Sequence, residues 1–315
     1  MEKTQTYALS YKGSGSELFK IQIVNLILTT VTLGLYYPWA KARSLEYLYG
    51  QSHFEESPFA FTGTGKEMFK GFIKAFILIV VVYGVFLALL FKSSPGLALL
   101  WLYGCLFAIL PLAIHGSYKY RMAKTNWRGI RFGYTGDRTE LIKLFVKGIL
   151  LTFVTLGIYG AWFAMDLRRY IISNVKVGNA SFHYHGNGSD YFWMNLKGYF
   201  LTLLTLGIYS FWWQRNMFAY FVNHTELAHG DKKVNLQSIA TAGGFFELTI
   251  INALILFFTL GLGFPWIITR NLRFVTNNIA ISGDLSFEEL QQQQTDYSNA
   301  TGEDLSDFFD FGFVI

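Results

Sequence analysis

Cysteine is almost missing from this chain. Cys105 stands alone among 315 residues, so no intrachain disulfide can form, and its place inside an apolar run points to packing rather than redox chemistry. Charge is scarce as well. Asp, Glu, Lys and Arg make up 15% of the residues, against about 25% in an ordinary soluble domain. The first 18 residues are polar and carry Lys3 and Lys12, so no cleavable signal is expected and the first apolar segment is expected to stay in the mature protein. Catalytic signatures are lacking too: there is no Walker loop, dinucleotide fingerprint, H-E-x-x-H or G-x-S-x-G elbow. "FTGTGKEMFKG" (Phe61–Gly71) is glycine-rich but has neither the P-loop spacing nor a Ser/Thr after its lysine. His183 and His185 share a strand face, yet no Cys, Asp or Glu cluster joins them as metal ligands. With no nucleophile–base set, no enzyme activity, cofactor or metal site is expected.

What is present is apolar bulk. The chain is 52% hydrophobic and 18% aromatic, with 31 Phe, 19 Tyr and 8 Trp. Several runs approach the ~20 apolar residues that cross a bilayer. The clearest are 75–91, 96–114, 148–165 and 248–269, with weaker ones at 19–40 and 199–213. Composition therefore predicts an all-α membrane protein, a multi-pass helical bundle with short β-strand elements at one membrane face.

The bundle is written as a repeat. "TLGLYYPWAKAR" (Thr32–Arg43), "TLGIYGAWFAMDLRR" (Thr155–Arg169), "TLGIYSFWWQRN" (Thr205–Asn216) and "TLGLGFPWIITR" (Thr259–Arg270) are copies of one phrase. A second phrase, a short alternating run closed by glycine, reads as a strand and turn: "FAFTG" at Gly63, "FGYTG" at Gly136 and "FHYHG" at Gly186, with looser forms ending at Gly13, Gly243 and Gly283. Strand glycine and TLG glycine are 21 residues apart in three copies, Gly13 to Gly34, Gly136 to Gly157 and Gly186 to Gly207. The step from Gly63 lands on Gly84 in a degenerate copy, and the step from Gly243 to Gly261 is three shorter. Five units result, starting near 7, 57, 130, 180 and 237, in a membrane domain of residues 1–283 followed by an acidic tail, 284–315.

Each repeated position has an expected use. Gly34, Gly157, Gly207 and Gly261 are expected to break a hydrophobic helix and allow a sharp bend. Trp39, Trp162, Trp212 and Trp266 follow them by five residues and suit the headgroup level, where a ring is half wet. Arg43, Arg215 and Arg270 come eight or nine after the break, either reaching lipid phosphates or lining a polar site between helices. Lys70/Lys74 and Lys143/Lys147 are i,i+4 pairs on one helix face, and Lys197 occupies the register of Lys74 and Lys147. These cations are the candidate contacts for anionic headgroups.

Charge also orients the chain. The second unit holds two full spans joined by "FKSSPG" (Phe91–Gly96), which returns the chain to its starting side. If every unit is such a hairpin, 25 of the 26 Lys and Arg lie beside strands and only Lys92 in the far turn, a split the positive-inside rule favours for a cytoplasmic face. The tail 284–315 has eight acids and no base, while the first 283 residues hold 26 bases and 13 acids, a net of +13. Lipid headgroups, not nucleic acid, are the expected partner of that basic body. The tail, with its glutamine run (Gln291–Gln294) and Phe308, Phe309, Phe311 and Phe313, is expected to be a separable element that docks on the body or on a protein partner.

The strand–helix–"TLGxYxxW" pattern and the closing "GEDLSDFFDFGFVI" (Gly302–Ile315) resemble the bacterial YjgN family, over essentially Tyr7 to Ile315. The resemblance implies a multi-pass location in the bacterial inner membrane. The family's shared domain is of unknown function, so it brings no catalytic residues. Two function classes are expected: a transporter or channel for a small solute, which internal repeats and matched polar positions imply, or a membrane-embedded scaffold or sensor whose tail docks a partner.

Overall fold

A computed structural model describes residues 5–92, 94–284, 287 and 290. In chain order the elements are β1 (Gln5–Tyr7), β2 (Leu9–Tyr11), α1 (Gly15–Val31), α2 (Tyr37–Gly50), β3 (Ser52–Phe54), β4 (Ser57–Phe61), α3 (Gly65–Lys92) and α4 (Pro95–Lys124). Next come β5 (Thr125–Trp127), β6 (Ile130–Tyr134), α5 (Arg138–Val154), α6 (Gly160–Ser173), β7 (Val175–Val177) and β8 (Ala180–Tyr184). The chain ends with α7 (Gly188–Leu204), α8 (Ser210–Asn223), β9 (Thr225–His229), β10 (Lys232–Ser238), α9 (Ala242–Phe258), α10 (Phe264–Asn277) and β11 (Ile279–Gly283). A helical pair thus alternates with a strand pair. In four helical pairs the lengths are 17 and 14 residues.

The expectation of an all-α multi-pass bundle is overturned. The strands form one antiparallel sheet of eleven, ordered β1-β11-β10-β9-β8-β7-β6-β5-β4-β3-β2. Its two edge strands, β1 and β2, are separated in sequence only by Ala8. Glu55 N–H donates to the Ala8 carbonyl at 2.9 Å, so the sheet curls into a nearly closed barrel. Short strands of three to seven residues bury little alone, and closure is what makes them stable. Inward positions alternate along each strand. Phe54, Trp127, Val177, Ala180, Leu227, Val234 and Ile281 form the lumen core, with Phe59, Phe132, Phe182 and Leu236 against it. Trp127 Nε1–H finds the Phe54 carbonyl at 3.1 Å, as a buried indole must.

Among the described residues, only α3 and α4, 28 and 30 residues, are long and apolar enough to cross a membrane. The other apolar runs are not single spans, because each is cut by a TLG turn. Gly84, by contrast, sits inside unbroken α3: where the other copies have threonine two residues before the glycine, this one has Val82, and without that hydroxyl the helix continues.

Each helix packs on its chain neighbours, and α10 packs on α1. Within a hairpin, bulk is traded between partners. A Cβ on Gly148 would strike the Phe163 ring, and one on Gly198 the Trp213 ring. Where α1 has Asn25 instead, its partner is Ala40, whose carbonyl accepts from Asn25 Nδ2 at 3.0 Å. Between hairpins, glycine receives tryptophan: Gly65 lies under Trp39, Gly188 under Trp162 and Gly15 under Trp266. The last pair joins the two ends of the chain.

The strand-closing glycines have a similar cause. At Gly13, Gly136 and Gly186 a Cβ would meet the ring of the tyrosine two residues before, Tyr11, Tyr134 or Tyr184. In the fifth unit Gly243 does not play this part; it lies inside α9. The true equivalent is Ala240, 21 residues before Gly261, buried. Two residues earlier stands Ser238; with no ring to fold back, a methyl group fits.

Candidate membrane-inserting tips and basic grooves

The TLG phrase builds the turn between the two helices of a short hairpin, not a bend within one helix. Two consecutive residues take left-handed backbone: Leu33, Leu156, Leu206 and Leu260 at φ of 50–52°, then Gly34, Gly157, Gly207 and Gly261 at 91–96°. Around Gly157 nothing lies within 4 Å of an added Cβ, so its glycine is required by conformation and not by space. The leucine before it bears a real cost, since a side chain disfavours this region. That leucine side chain is almost wholly bare, 93–94% exposed at all four tips.

Threonine makes the turn self-sufficient. Thr155 Oγ1 donates to the Leu151 carbonyl at 2.7 Å and accepts from Tyr159 N–H at 2.9 Å. The other N–H groups from Thr155 to Gly160 bond to Leu151, Phe153, Thr152, Thr155 and Gly157 carbonyls. The same six-bond pattern recurs from Thr32, Thr205 and Thr259. Irregular backbone is stable in hydrocarbon only when its polar groups are satisfied internally. These turns meet that condition for their N–H donors. The turn between α3 and α4 is of another kind: Lys92 precedes it, and Ser94 Oγ accepts from Leu97 N–H at 3.2 Å.

At the other end of each hairpin, tyrosines and arginines tie helices to strands. Tyr47 Oη accepts from Ser14 N–H at 2.8 Å, and Tyr220 Oη accepts from Asn187 N–H at 2.8 Å. Arg169 Nη2 donates to the Gly186 carbonyl at 2.6 Å, Arg273 Nη2 to the Gly13 carbonyl at 2.8 Å and Arg215 Nε to the Ala240 carbonyl at 3.4 Å. Each acceptor lies two residues past the end of β8, β2 or β10, where the chain enters the next hairpin.

The predicted cations divide accordingly. Lys143 and Lys147 come together with Arg169, Glu140, Asp166 and Tyr170 around an open groove of ≈ 620 Å³ between α5 and α6. Arg43 shares a groove of ≈ 490 Å³ with Lys20 and Glu46, and Arg270 one of ≈ 220 Å³ with Arg273 and Glu247. Arg215 is an inter-unit strut, while Lys70, Lys74 and Lys197 line none of these three grooves. Trp39, Trp212 and Trp266 are 36%, 49% and 38% exposed; Trp39, Trp162 and Trp266 rest on the next hairpin's first residue, a contact that glycine there permits. Sequence reasoning missed Arg273. Arg168, which follows its break slightly later than the other arginines, has its guanidinium 4.1 Å from the Phe221 ring and 5.2 Å from that of Tyr184, a role no spacing rule flags, because the contact joins separate elements.

His185 is not paired with His183 for a metal. Its Nε2 meets Glu226 Oε1 at 2.9 Å, and Lys233 Nζ reaches the same oxygen at 3.2 Å. Partial burial acts to raise the Glu226 carboxyl, but the His185 and Lys233 hydrogen bonds outweigh it and hold the group below the usual glutamate value. Among the described residues, no group of three or more His, Cys, Asp or Glu could hold a metal ion.

Past β11, Phe287 and Leu290 return into the barrel. The Phe287 ring stands edge-on to Tyr7 and Phe54 at 4.7 Å and to Trp127 at 5.9 Å, and Leu290 is buried in the lumen core. The glutamine run and the terminal phenylalanines lie outside the described residues.

Fold and site define a class: helical hairpins with apolar, self-bonded tips set on a strand barrel. The model of a family described as bacterial proteins of unknown function (DUF898) matches residues 6–184, 179–232 and 229–308. The chain belongs to that family. Its relatives include the inner membrane protein YjgN of Salmonella typhimurium, 28% identical over 171 residues, 50% of this chain and 42% of the relative. The protein of that name from Escherichia coli O157:H7 is 31% identical over 134 residues, 41% of this chain and 31% of the relative. These matches span less than half the length of either relative. No solved structure matches.

Proposed function

We propose that the protein is a non-enzymatic scaffold of the bacterial inner membrane, which holds its strand barrel on the cytoplasmic face and presents its acidic tail there to a protein partner. The relatives, named as inner membrane proteins, support the membrane. Sharing of one sheet by all strands supports a single face for the barrel, and the concentration of Lys and Arg beside those strands supports the cytoplasm. Lysines and arginines of the open grooves sit where anionic headgroups meet the helices.

The observation that favours scaffold over transporter is the filled lumen. Trp127, Phe54, Phe287 and Leu290 occupy the barrel interior, leaving the acidic segment beyond Leu290 to start from the barrel itself. The test is sidedness together with flux. With Cys105→Ser as background, Thr135→Cys and His185→Cys should react with an impermeant maleimide in inverted vesicles and not in intact cells. Proteoliposomes should show no swelling in small polar solutes. Labelling in intact cells would overturn the cytoplasmic face. Solute flux that Trp127→Ala alters would restore the transporter reading.

A further inference from the structure

We propose that the protein loads the two leaflets unequally and thereby bends the membrane convex toward its barrel. The inference rests on the membrane reading above and goes beyond it, because it assigns the hairpins a mechanical activity.

The first observation is the charge-free reach of each short hairpin. From Lys20 to the end of α1 at Val31, an upright helix rises ~16 Å. From Lys147 to Val154 and from Lys197 to Leu204 the rise is ~10 Å each. On the return side, Arg43, Asp166, Arg215 and Arg270 lie within ~9 Å of the start of their helices. Hydrocarbon is ~30 Å thick. A tip that emerged on the far side would strand these charges inside it, at roughly 2.5–3.5 kcal/mol each. A tip that stops short of the midplane, about 10 Å deep, leaves them at the headgroup boundary, and any tilt makes the insertion shallower still.

Tip chemistry is the second, independent observation. All four TLG turns are free of charge, satisfy their own N–H groups and bare an apolar leucine, which suits a turn that ends in lipid. The α3–α4 turn has Lys92 and Ser94, and its helices, 28 and 30 residues long, rise ~42–45 Å. That turn suits water on the far side. Of the helices among the described residues, the near leaflet therefore receives ten and the far leaflet two. Excess area on one side is relieved when that side becomes convex, and curvature in turn favours the orientation that places the barrel outside.

The experiment uses the full chain, reconstituted into phosphatidylethanolamine/phosphatidylglycerol vesicles. Bimane on Leu156→Cys, in the Cys105→Ser background, should be quenched most strongly by lipids labelled near the acyl end. Impermeant maleimide should reach Ser94→Cys and Thr135→Cys from opposite sides. Full aqueous labelling of Leu156→Cys from the Ser94 side would overturn half-depth insertion and leave the scaffold reading intact. Orientation is then scored with Thr135→Cys in vesicles about 30 nm and about 400 nm across. The barrel-out to barrel-in ratio should rise at least about twofold in the small vesicles. An equal ratio in both sizes, with half-depth insertion holding, would overturn the bending activity alone.

Discussion

At Thr155 one hydroxyl closes two helices, donating to Leu151 and accepting from Tyr159. Thr155→Val keeps the shape and removes both bonds. It should cost about 1–3 kcal/mol, the penalty of an orphaned amide, read as a lower melting temperature in lipid nanodiscs; an unchanged melting temperature would show that the tip is wet. Leu156 tells the complementary story. Leu156→Gly relieves left-handed strain of about 1–2 kcal/mol but adds unfolded-state freedom, so stability in detergent should hold or rise by under about 1 kcal/mol. The vesicle-size preference should weaken in the same variant, because the buried apolar tip is smaller. At Glu226 the prediction is one of pH. A carboxyl held below its ordinary value contributes stability that is fully present above that value and is lost as pH falls through the lowered one. Acid melting curves of wild type and Glu226→Gln should therefore converge at low pH, and a gap that widens on acidification would refute the ion pair.

Elements are held together by matched volumes. Gly188→Ala would drive a methyl group into Trp162, whose Cα lies 2.6 Å from the new atom, so about 1–3 kcal/mol should be lost to overpacking. Because the two residues touch, the double variant Gly188→Ala/Trp162→Ala should lose less than the sum of the singles; strict additivity in chemical denaturation would deny the contact. Much at this scale was legible in the sequence. The 21-residue glycine spacing located both ends of the first helix in three hairpins, because a left-handed turn and a ring-covered joint both exclude a side chain. Gly243 misled because a nearby glycine was taken for the joint, when Ser238 had removed the ring that demands one. The groove cations were legible as residue types, but Arg215, Arg273 and Arg168 owe their roles to partners on other elements.

The whole molecule is a ring whose seam lies between its ends. β1 pairs with β11, Trp266 rests on Gly15, and Arg273 bonds to Gly13. Phe287 and Leu290 then fill the lumen behind the seam. A chain ending at Gly283 should therefore lose about 2–5 kcal/mol, the usual range for emptying large apolar side chains from a core, and melt earlier in detergent. A chain ending at Leu290 should melt like the full protein. Equal melting of both truncated forms would show that the segment after β11 adds nothing to the barrel.

By itself the sequence determined the local grammar: where helices turn, which residues cap them, which surfaces are apolar, and that most positive charge gathers beside the strands. Those features follow from backbone conformation and solvation within a few turns of chain, so a motif records them. Only the tertiary structure decided that the strands close into a barrel. The pairing of β1 with β11 and the seating of Phe287 on Tyr7 and Trp127 join residues far apart in the chain. Three-residue strands carry too little alternation to announce their partners, and the free energy that selects closure is shared by the whole sheet rather than held in any one segment.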